Sequence, residues 1–385
     1  MAEVTKSYSI GFDAKRVVHN ATGLGNYSRY FVEALAKYAP DFALHLYSYD
    51  RGNEDLYSSL SSYPSVAFHH APRQSLGFPG RSVYYRNYQV LSDLRRDRIQ
   101  LYHGLSNELP SGIKQSGIPS VVTIHDLIYE RFPGTYSPVD VLLYRHKYRR
   151  SCRDASHIVA VSESTRRDLM EFYAISPDKI SVIYQGCDPI FTRRLEPSEI
   201  RDTLSRYGLR QPYLLTVGTI ERRKNAALIV SALGSLPHKE LTLVLIGRET
   251  PYAQEVRETA RRYGVSDRLL FLYGVPTADL PALYAGAEIF VYPSLFEGFG
   301  IPILEALSVG VPVIGATGSS LQEVGGADSL YCDPYDADSL AHLIDRIYTD
   351  ALLARQMIDR GRQHATLFSQ ETLAHDLRSL YLHLL

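Results

Sequence analysis

The sequence predicts an α/β protein made of two Rossmann-like, doubly wound parallel-sheet domains, and three observations predict it. Short apolar runs rich in β-branched residues recur along the whole chain, each followed by a helical pattern. These runs lack clean polar–apolar alternation, which suits strands buried on both faces of a parallel sheet. The rhythm breaks once, at residues 189–212, a polar stretch holding Pro189, Pro197 and Pro212. Strand–helix alternation implies βαβ units, and a polar, proline-marked break between two such series reads as a linker. The division is drawn at 195/196. It gives an N-terminal domain over 1–195, a C-terminal domain over 196–368 and a final amphipathic helix within 369–385. A chain of 385 residues accommodates domains of about 150 residues each.

In the first series the strand-like runs are 8–13, 44–49, 66–70, 99–104, 121–126, 158–162 and 180–186. In the second they are 213–219, 241–247, 269–274, 289–294 and 311–316. Helical patterns between and after them include 26–37, 225–236, 253–263 and 338–348. Ligands of open α/β sheets bind outside the strand C-termini. Two such domains are therefore expected to hold a ligand in the cleft between them, and the informative polar residues are those just after strands.

Composition narrows the function classes. Hydrophobic residues at 45% and charged residues at 22% are those of an ordinary globular protein. A net charge of −1 argues against a dominant nucleic-acid surface. Cys152, Cys187 and Cys332 are widely spaced and odd in number, so they form neither a disulfide framework nor a CxxC metal site. No apolar run approaches the ~18 residues of a membrane span, and residues 1–12 lack a signal-peptide core. A cytoplasmic location is expected. The arginine-rich segments 91–98 and 144–153 read either as solvated helix faces or as a peripheral contact with anionic lipid at the inner membrane.

Four segments carry chemistry. The richest is IFVYPSLFEGFGIPILEALSVGVPVIGA. A strand ends near Ser294, the loop Glu297-Gly298-Phe299-Gly300 follows, and a helix starts near Ile301 with Pro302 in its first turn. The glycines let backbone approach a ligand closely, and helix-start N–H groups favour anionic or hydroxyl-rich ligands. Glu297 and, eight residues later, Glu305 are acceptor-only carboxylates suited to separate diols of one extended ligand. The second segment, YLLTVGTIERRKNAAL, places Gly218 and Thr219 after a strand and then Arg222, Arg223 and Lys224. Three adjacent cations there suit a diphosphate: arginine clamps phosphate oxygens in a fork, and lysine acts as a mobile point charge.

The third segment holds Gly23-Leu24-Gly25 ahead of the 26–37 helix. Ten intervening residues after the strand, and no acidic residue at the expected place, argue against a nicotinamide fingerprint; a glycine loop offering N–H groups to phosphate fits better. The fourth, VVTIHDLIYERF, puts His125 at a strand C-terminus, placed to hydrogen-bond a sugar hydroxyl or to fill the core. His103 is similarly placed. Ser162 reads equally as a helix cap or a ligand contact, and the acidic pair Asp336 and Asp338 reads as capping rather than as a metal site.

Taken together, these residues resemble the retaining glycosyltransferases of family 4, which have the GT-B fold. The resemblance runs over nearly the whole chain. It is strongest in Glu297-x7-Glu305 within PSxFEGFGIPxLEAL followed by GVPVI, with VGTIERRKN, VSESTRRDL and VIYQGCDPIF in the expected order. It implies that Glu297 and His125 contact the donor sugar and that Glu305 holds the ribose diol. It also implies that the backbone of Gly298, Phe299, Gly300 and Ile301 lines the sugar and diphosphate. Arg223 and Lys224 match the basic pair that neutralises the leaving diphosphate, Gly23 and Gly25 match the glycine loop, and the base rests near Gly274 and Val275. Many members carry arginine directly after the strand-end glycine, Gly218 here; this chain has Thr219, which leaves Arg222 and Arg223 as alternatives.

The resemblance further implies no metal or other cofactor, a nucleotide-diphosphate sugar (GDP-mannose or a UDP-hexose) as co-substrate, and an oligosaccharide or lipid-linked glycan as acceptor in bacterial polysaccharide synthesis. The N-terminal domain is expected to bind the acceptor, and the last helix to pack back on that domain. A GT-B-like nucleotide-sugar epimerase and a catalytically idle sugar-nucleotide-binding protein are the competing readings.

Overall fold

The computed structural model describes residues 7–71 and 80–385; the opening residues 1–6, part of the segment searched for a signal peptide, lie outside that range. The chain divides into two compact units, Met1–Gly186 with Phe368–Leu385, and Cys187–Leu367.

The first unit contains β1 (Tyr8–Asp13), β2 (Phe42–Ser48), β3 (Val66–His70), β4 (Leu101–Gly104), β5 (Ser120–Ile124), β6 (His157–Ala160) and β7 (Ile180–Val182). They form one parallel sheet in the order β3-β2-β1-β4-β5-β6-β7, with Ile10 facing Leu44 on one side and Leu101 on the other. Ile10 and Phe12 are fully buried, as apolar runs of a doubly covered sheet require. The order reverses between β1 and β4, so the carboxyl ends of these strands flank the switch point where such sheets bind ligands. The helix Gln370–Leu384 belongs to this unit and packs on the helix Gly23–Tyr38. Tyr381 anchors it: its hydroxyl lies 2.5 Å from Nδ1 of the fully buried His103, whose Nε2 lies 2.9 Å from Thr123 Oγ1. His103 is thus a satisfied core histidine.

The second unit contains β8 (Tyr213–Val217), β9 (Thr242–Ile246), β10 (Leu269–Leu272), β11 (Ile289–Tyr292), β12 (Val313–Ala316) and β13 (Leu330–Cys332). The order is β10-β9-β8-β11-β12-β13, again parallel, with the switch point between β8 and β11. At three residues, β13 is too short to show as an apolar run.

The stretch read as a linker is structured. Pro197 opens the helix Pro197–Arg206, and Glu196 and Glu199 cap it reciprocally. Upstream, the Phe191 ring meets Tyr284 edge-on at 5.7 Å, which ties residues after Cys187 to the second unit. The units therefore part between Gly186 and Cys187, ahead of the division drawn at 195/196. Prolines and charges marked helix caps there, not a free connector. The two caps expected elsewhere are present: Ser162 Oγ accepts from Thr165 N–H at 3.0 Å, and Asp336 Oδ1 from Ser339 N–H at 2.9 Å. All three cysteines are free and buried. Among the described residues, no helix is long and apolar enough to cross a membrane.

Candidate functional site

The second unit's switch point gathers the charged residues singled out above. After β8 the chain passes Gly218, at φ +142°, and forms a tight turn over Arg222–Lys224. Asn225, in the left-handed region at φ +60°, ends the turn and starts the helix Ala226–Ser235. After β11 the chain runs through Ser294 and Glu297 to Gly300, at φ +117°, where the helix Ile301–Val309 begins. That torsion favours glycine; a Cβ there would also press on the Leu321 side chain, 2.8 Å away. The two loops are stitched together by Leu295 N–H, which donates to the Arg223 carbonyl at 2.8 Å.

Glu297 is the centre of this site. Its side chain is 10% exposed, and its two oxygens hold different cations: Lys224 Nζ is 2.5 Å from Oε1, and an Arg223 guanidinium nitrogen is 2.8 Å from Oε2. Ser294 Oγ donates to Oε1 at 2.7 Å. Burial raises its pKa, but Lys224 and Arg223 outweigh that and hold the carboxyl down at about 2. The lysine ammonium also bonds the Tyr292 hydroxyl and sits 4.8 Å over that ring. Burial, reinforced by Arg223, lowers the Lys224 pKa in spite of Glu297. Arg223 further donates to the Phe296 carbonyl at 2.7 Å and to Glu221 at 2.6 Å.

Glu305 has a separate environment. Tyr284 O–H donates to its Oε2 at 2.8 Å, yet burial, with a smaller contribution from Asp188, pushes its pKa up to about 7. The glutamates eight residues apart thus differ: one is a firmly ionised counter-ion, and the other titrates near neutrality.

Arg222 does not join the cluster. It is exposed, bonds Glu255 and stacks over Tyr252 at 5.5 Å, whereas Arg223 is drawn in toward Glu297. Gly274, at φ +65° with nothing within 4 Å of a would-be Cβ, and Val275 follow β10 on the same carboxyl edge of the sheet. Gly298 and Phe299 lie buried between Glu297 and the helix start.

The first unit holds the remaining predicted residues. His125 follows β5 and is buried; its backbone N–H donates to Asn107 Oδ1 at 2.9 Å, and the Tyr27 ring meets the imidazole edge-on at 4.5 Å. Nε2 lies 2.9 Å from the Leu105 carbonyl, which fixes the proton on that nitrogen and makes Nδ1 an acceptor. Burial pushes its pKa down to about 4, so the ring is neutral at pH 7. Gly23 and Gly25 depart from expectation. They are the first turn of the helix Gly23–Tyr38, not a loop ahead of it. Gly25 is a packing glycine, because its Cβ would fall 1.7 Å from the Asn20 carbonyl oxygen. Gly23 is exposed at the helix start with open space around it.

Sequence reasoning missed four supports. Ser294 and Tyr292 hold Glu297 and Lys224, and Tyr284 holds Glu305. Ser320, fully buried, has its Oγ 2.8 and 2.7 Å from the carbonyl oxygens of Glu297 and Phe299, so its one hydroxyl proton lies between them and holds the loop's path. Ser294 had a signal in its place at a strand end. Ser320 had none, being 23 residues from its partner.

The sequence matches the family described as glycosyl transferases group 1 over residues 205–364, and glycosyltransferase family 4 over residues 21–191. It is 31% identical over 376 residues to the O-antigen chain mannosyltransferase B of Escherichia coli, covering 94% of this chain and 96% of that one. Two solved structures share the fold alone. A glycosyltransferase from Rickettsia africae superposes with TM-score 0.76 at 18% identity, covering 98% of both chains. HepE of Anabaena, solved with UDP and glucose, gives TM-score 0.72 at 19% identity over 98% of this chain and 100% of that one. Both units thus have the GT-B type of sheet.

Proposed function

This chain belongs to the group 1 and family 4 glycosyltransferases, and we propose that it is a retaining hexosyltransferase that moves mannose from GDP-mannose to a glycan acceptor. Sugar transfer in polysaccharide synthesis is the activity its mannosyltransferase relative carries in its name. The convergence of Arg223 and Lys224 on one buried acidic loop, at the switch point of β8 and β11, is the observation that supports this reading. A departing nucleoside diphosphate gains negative charge as the C1–O bond breaks with oxocarbenium character. Arg223, Lys224 and the amides at the start of Ile301–Val309 stabilise that charge, and preorganised stabilisation of this kind commonly does more for the rate than any other single effect. Glu297 accepts hydrogen bonds from the sugar, and Glu305 from the ribose. We assign acceptor binding to the first unit. The acceptor hydroxyl attacks on the face the diphosphate leaves, and the leaving phosphate takes its proton.

The test is transfer from GDP-mannose to an O-antigen-type oligosaccharide, with the product anomer read by NMR. The expected product keeps the α configuration of the donor. Lys224→Ala should lower kcat by roughly 10²–10³, the cost of losing one charge-stabilising donor. Near-normal turnover in that variant, or an inverted product, refutes the reading.

A second partner is favoured by one observation. The helix Pro138–Asp154 exposes Val139, Leu142 and Leu143, at 75%, 67% and 45%, on a stripe that continues into Arg149 and into Arg153, which bonds Asp154. An apolar patch beside cations suits an anionic membrane surface, where a lipid-linked acceptor resides. Segment 91–98 suits it less, because it places no large apolar side chain on the surface beside its arginines. Cosedimentation with phosphatidylglycerol vesicles at low salt, lost in Leu142→Asp/Leu143→Asp, is the expected result; no binding by the wild type removes this partner.

A further inference from the structure

Glu297 has more to do than touch a sugar. Arg223 and Lys224 are adjacent in sequence, and their side chains are only 18% and 17% exposed. Two like charges so placed are costly unless an anion sits between them. Glu297 supplies it: one carboxylate oxygen goes to each cation, a third bond comes from Ser294, and the group itself is 10% exposed. Two anionic oxygens on one central atom, each engaging a different cation, form an arrangement that a phosphate, with its tetrahedral phosphorus, also offers.

We propose that Glu297 is a built-in stand-in for the donor's diphosphate, holding Arg223 and Lys224 in the unliganded protein, yielding them when a nucleotide sugar binds and recapturing them to expel the nucleoside diphosphate after transfer. This rests on the functional reading above and adds the regulation of that same site. Freed from the cations by an incoming diphosphate, the Glu297 carboxylate gains acceptor capacity for sugar hydroxyls as the donor seats. Once the sugar has left, nothing holds Glu297 away from the cations, and it competes with the bound product.

Glu221 provides the internal control. It also bonds Arg223, at 2.6 Å, but it is 38% exposed and engages one cation only. If Glu297 acted merely as one more negative charge near the site, neutralising either glutamate would help a bound anion alike. A stand-in makes Glu297 far the more important.

The experiment is calorimetric binding of GDP, UDP and GDP-mannose to the full chain as wild type, Glu297→Gln and Glu221→Gln. Glu297→Gln should bind the preferred nucleoside diphosphate at least tenfold more tightly than wild type, while Glu221→Gln changes it less than threefold. GDP-mannose, which also loses its contact with the carboxylate, should gain less than the free diphosphate does. Equal or weaker diphosphate binding by Glu297→Gln, or an equal gain in both variants, overturns the inference while leaving the functional reading intact. A wild type that binds no nucleotide or nucleotide sugar overturns both. Should Glu297→Gln fail to fold, Glu297→Asp serves, because a carboxylate drawn back by one methylene no longer reaches the cations that Glu297 bridges. A several-fold tighter diphosphate complex is then expected, and an unchanged one refutes the proposal.

Discussion

With Glu305 holding the donor's ribose, as proposed above, donor binding is expected to depend on pH by an amount that follows from its surroundings. Its carboxyl is pushed up to about 7 by burial, while the Tyr284 hydroxyl bond works the other way. Only the ionised form is an all-acceptor group able to take both hydrogens of a ribose diol. If donor binds that form alone, the apparent Kd scales with 1 + 10^(7−pH): about elevenfold above its limit at pH 6 and about 1.1-fold at pH 8. Affinity should therefore rise about tenfold from pH 6 to pH 8, or ~1.4 kcal/mol. The assay is isothermal titration of GDP-mannose at half-unit steps; a nucleotide sugar is chosen because its doubly esterified diphosphate does not titrate in this window. Glu305→Gln should bind more weakly at every pH and show a flat profile. Tyr284→Phe removes a bond that favours the ionised form, so its midpoint should move to higher pH. A wild-type Kd equal at pH 6 and 8, or a Glu305→Gln variant that keeps the slope, refutes the reasoning.

Three further outcomes are expected. Gly25→Ala drives a Cβ to within 1.7 Å of the Asn20 carbonyl and should cost at least ~2 kcal/mol or prevent folding, whereas Gly23→Ala, with open space around it, should leave the melting temperature within a few degrees; equal melting of the two variants contradicts this. Ser320→Ala removes the one hydroxyl that ties the backbone of Glu297 and Phe299 together, should cost about 1 kcal/mol and should weaken donor binding through a loosened loop; unaltered donor Kd and stability would show that the loop holds itself. His103 and His125 stay neutral in the fold, with pKa values near 3 and 4, while in the unfolded chain they charge below about 6.5. The unfolded state then binds more protons, so stability falls as pH drops through 6.5 toward 4, by ~1.4 kcal/mol per unit for each ring. His103→Gln should move the acid midpoint, followed by circular dichroism, to lower pH, and an unmoved midpoint removes this account.

The strands of both sheets are legible because their short apolar runs are buried on both faces and recur with helical patterns between them. What the sequence hid lay where a local cue has two uses. Pro189, Pro197 and Pro212 signal breaks, but a proline at a helix start signals the same thing, and the buried Phe191 and Leu204 around them favour structure over a free linker. Gly23 and Gly25 carry the composition of a phosphate loop, yet Gly25 is there because two backbones touch. That contact is with Asn20, whose approach no pattern of glycines encodes.

The basic run shows the same limit at finer grain. Residues of a 3₁₀ turn project about 120° apart, so Arg222, Arg223 and Lys224 cannot all face one ligand. Chemistry alone does not choose among them. The choice is made from outside the turn, by Glu255 drawing Arg222 toward solvent and by Glu297 arriving from the β11 loop with two oxygens. Arg223 and Lys224, though divergent at the backbone, meet again because a single carboxylate bridges them. Glu297 therefore shapes the cation pair before any donor does, and its replacement must alter the site's geometry as well as its charge. For that reason the comparison of Gln with the shorter Asp at this position is more telling than either alone: loss of charge and loss of reach both release the cations, but only loss of reach leaves a negative group to repel the diphosphate.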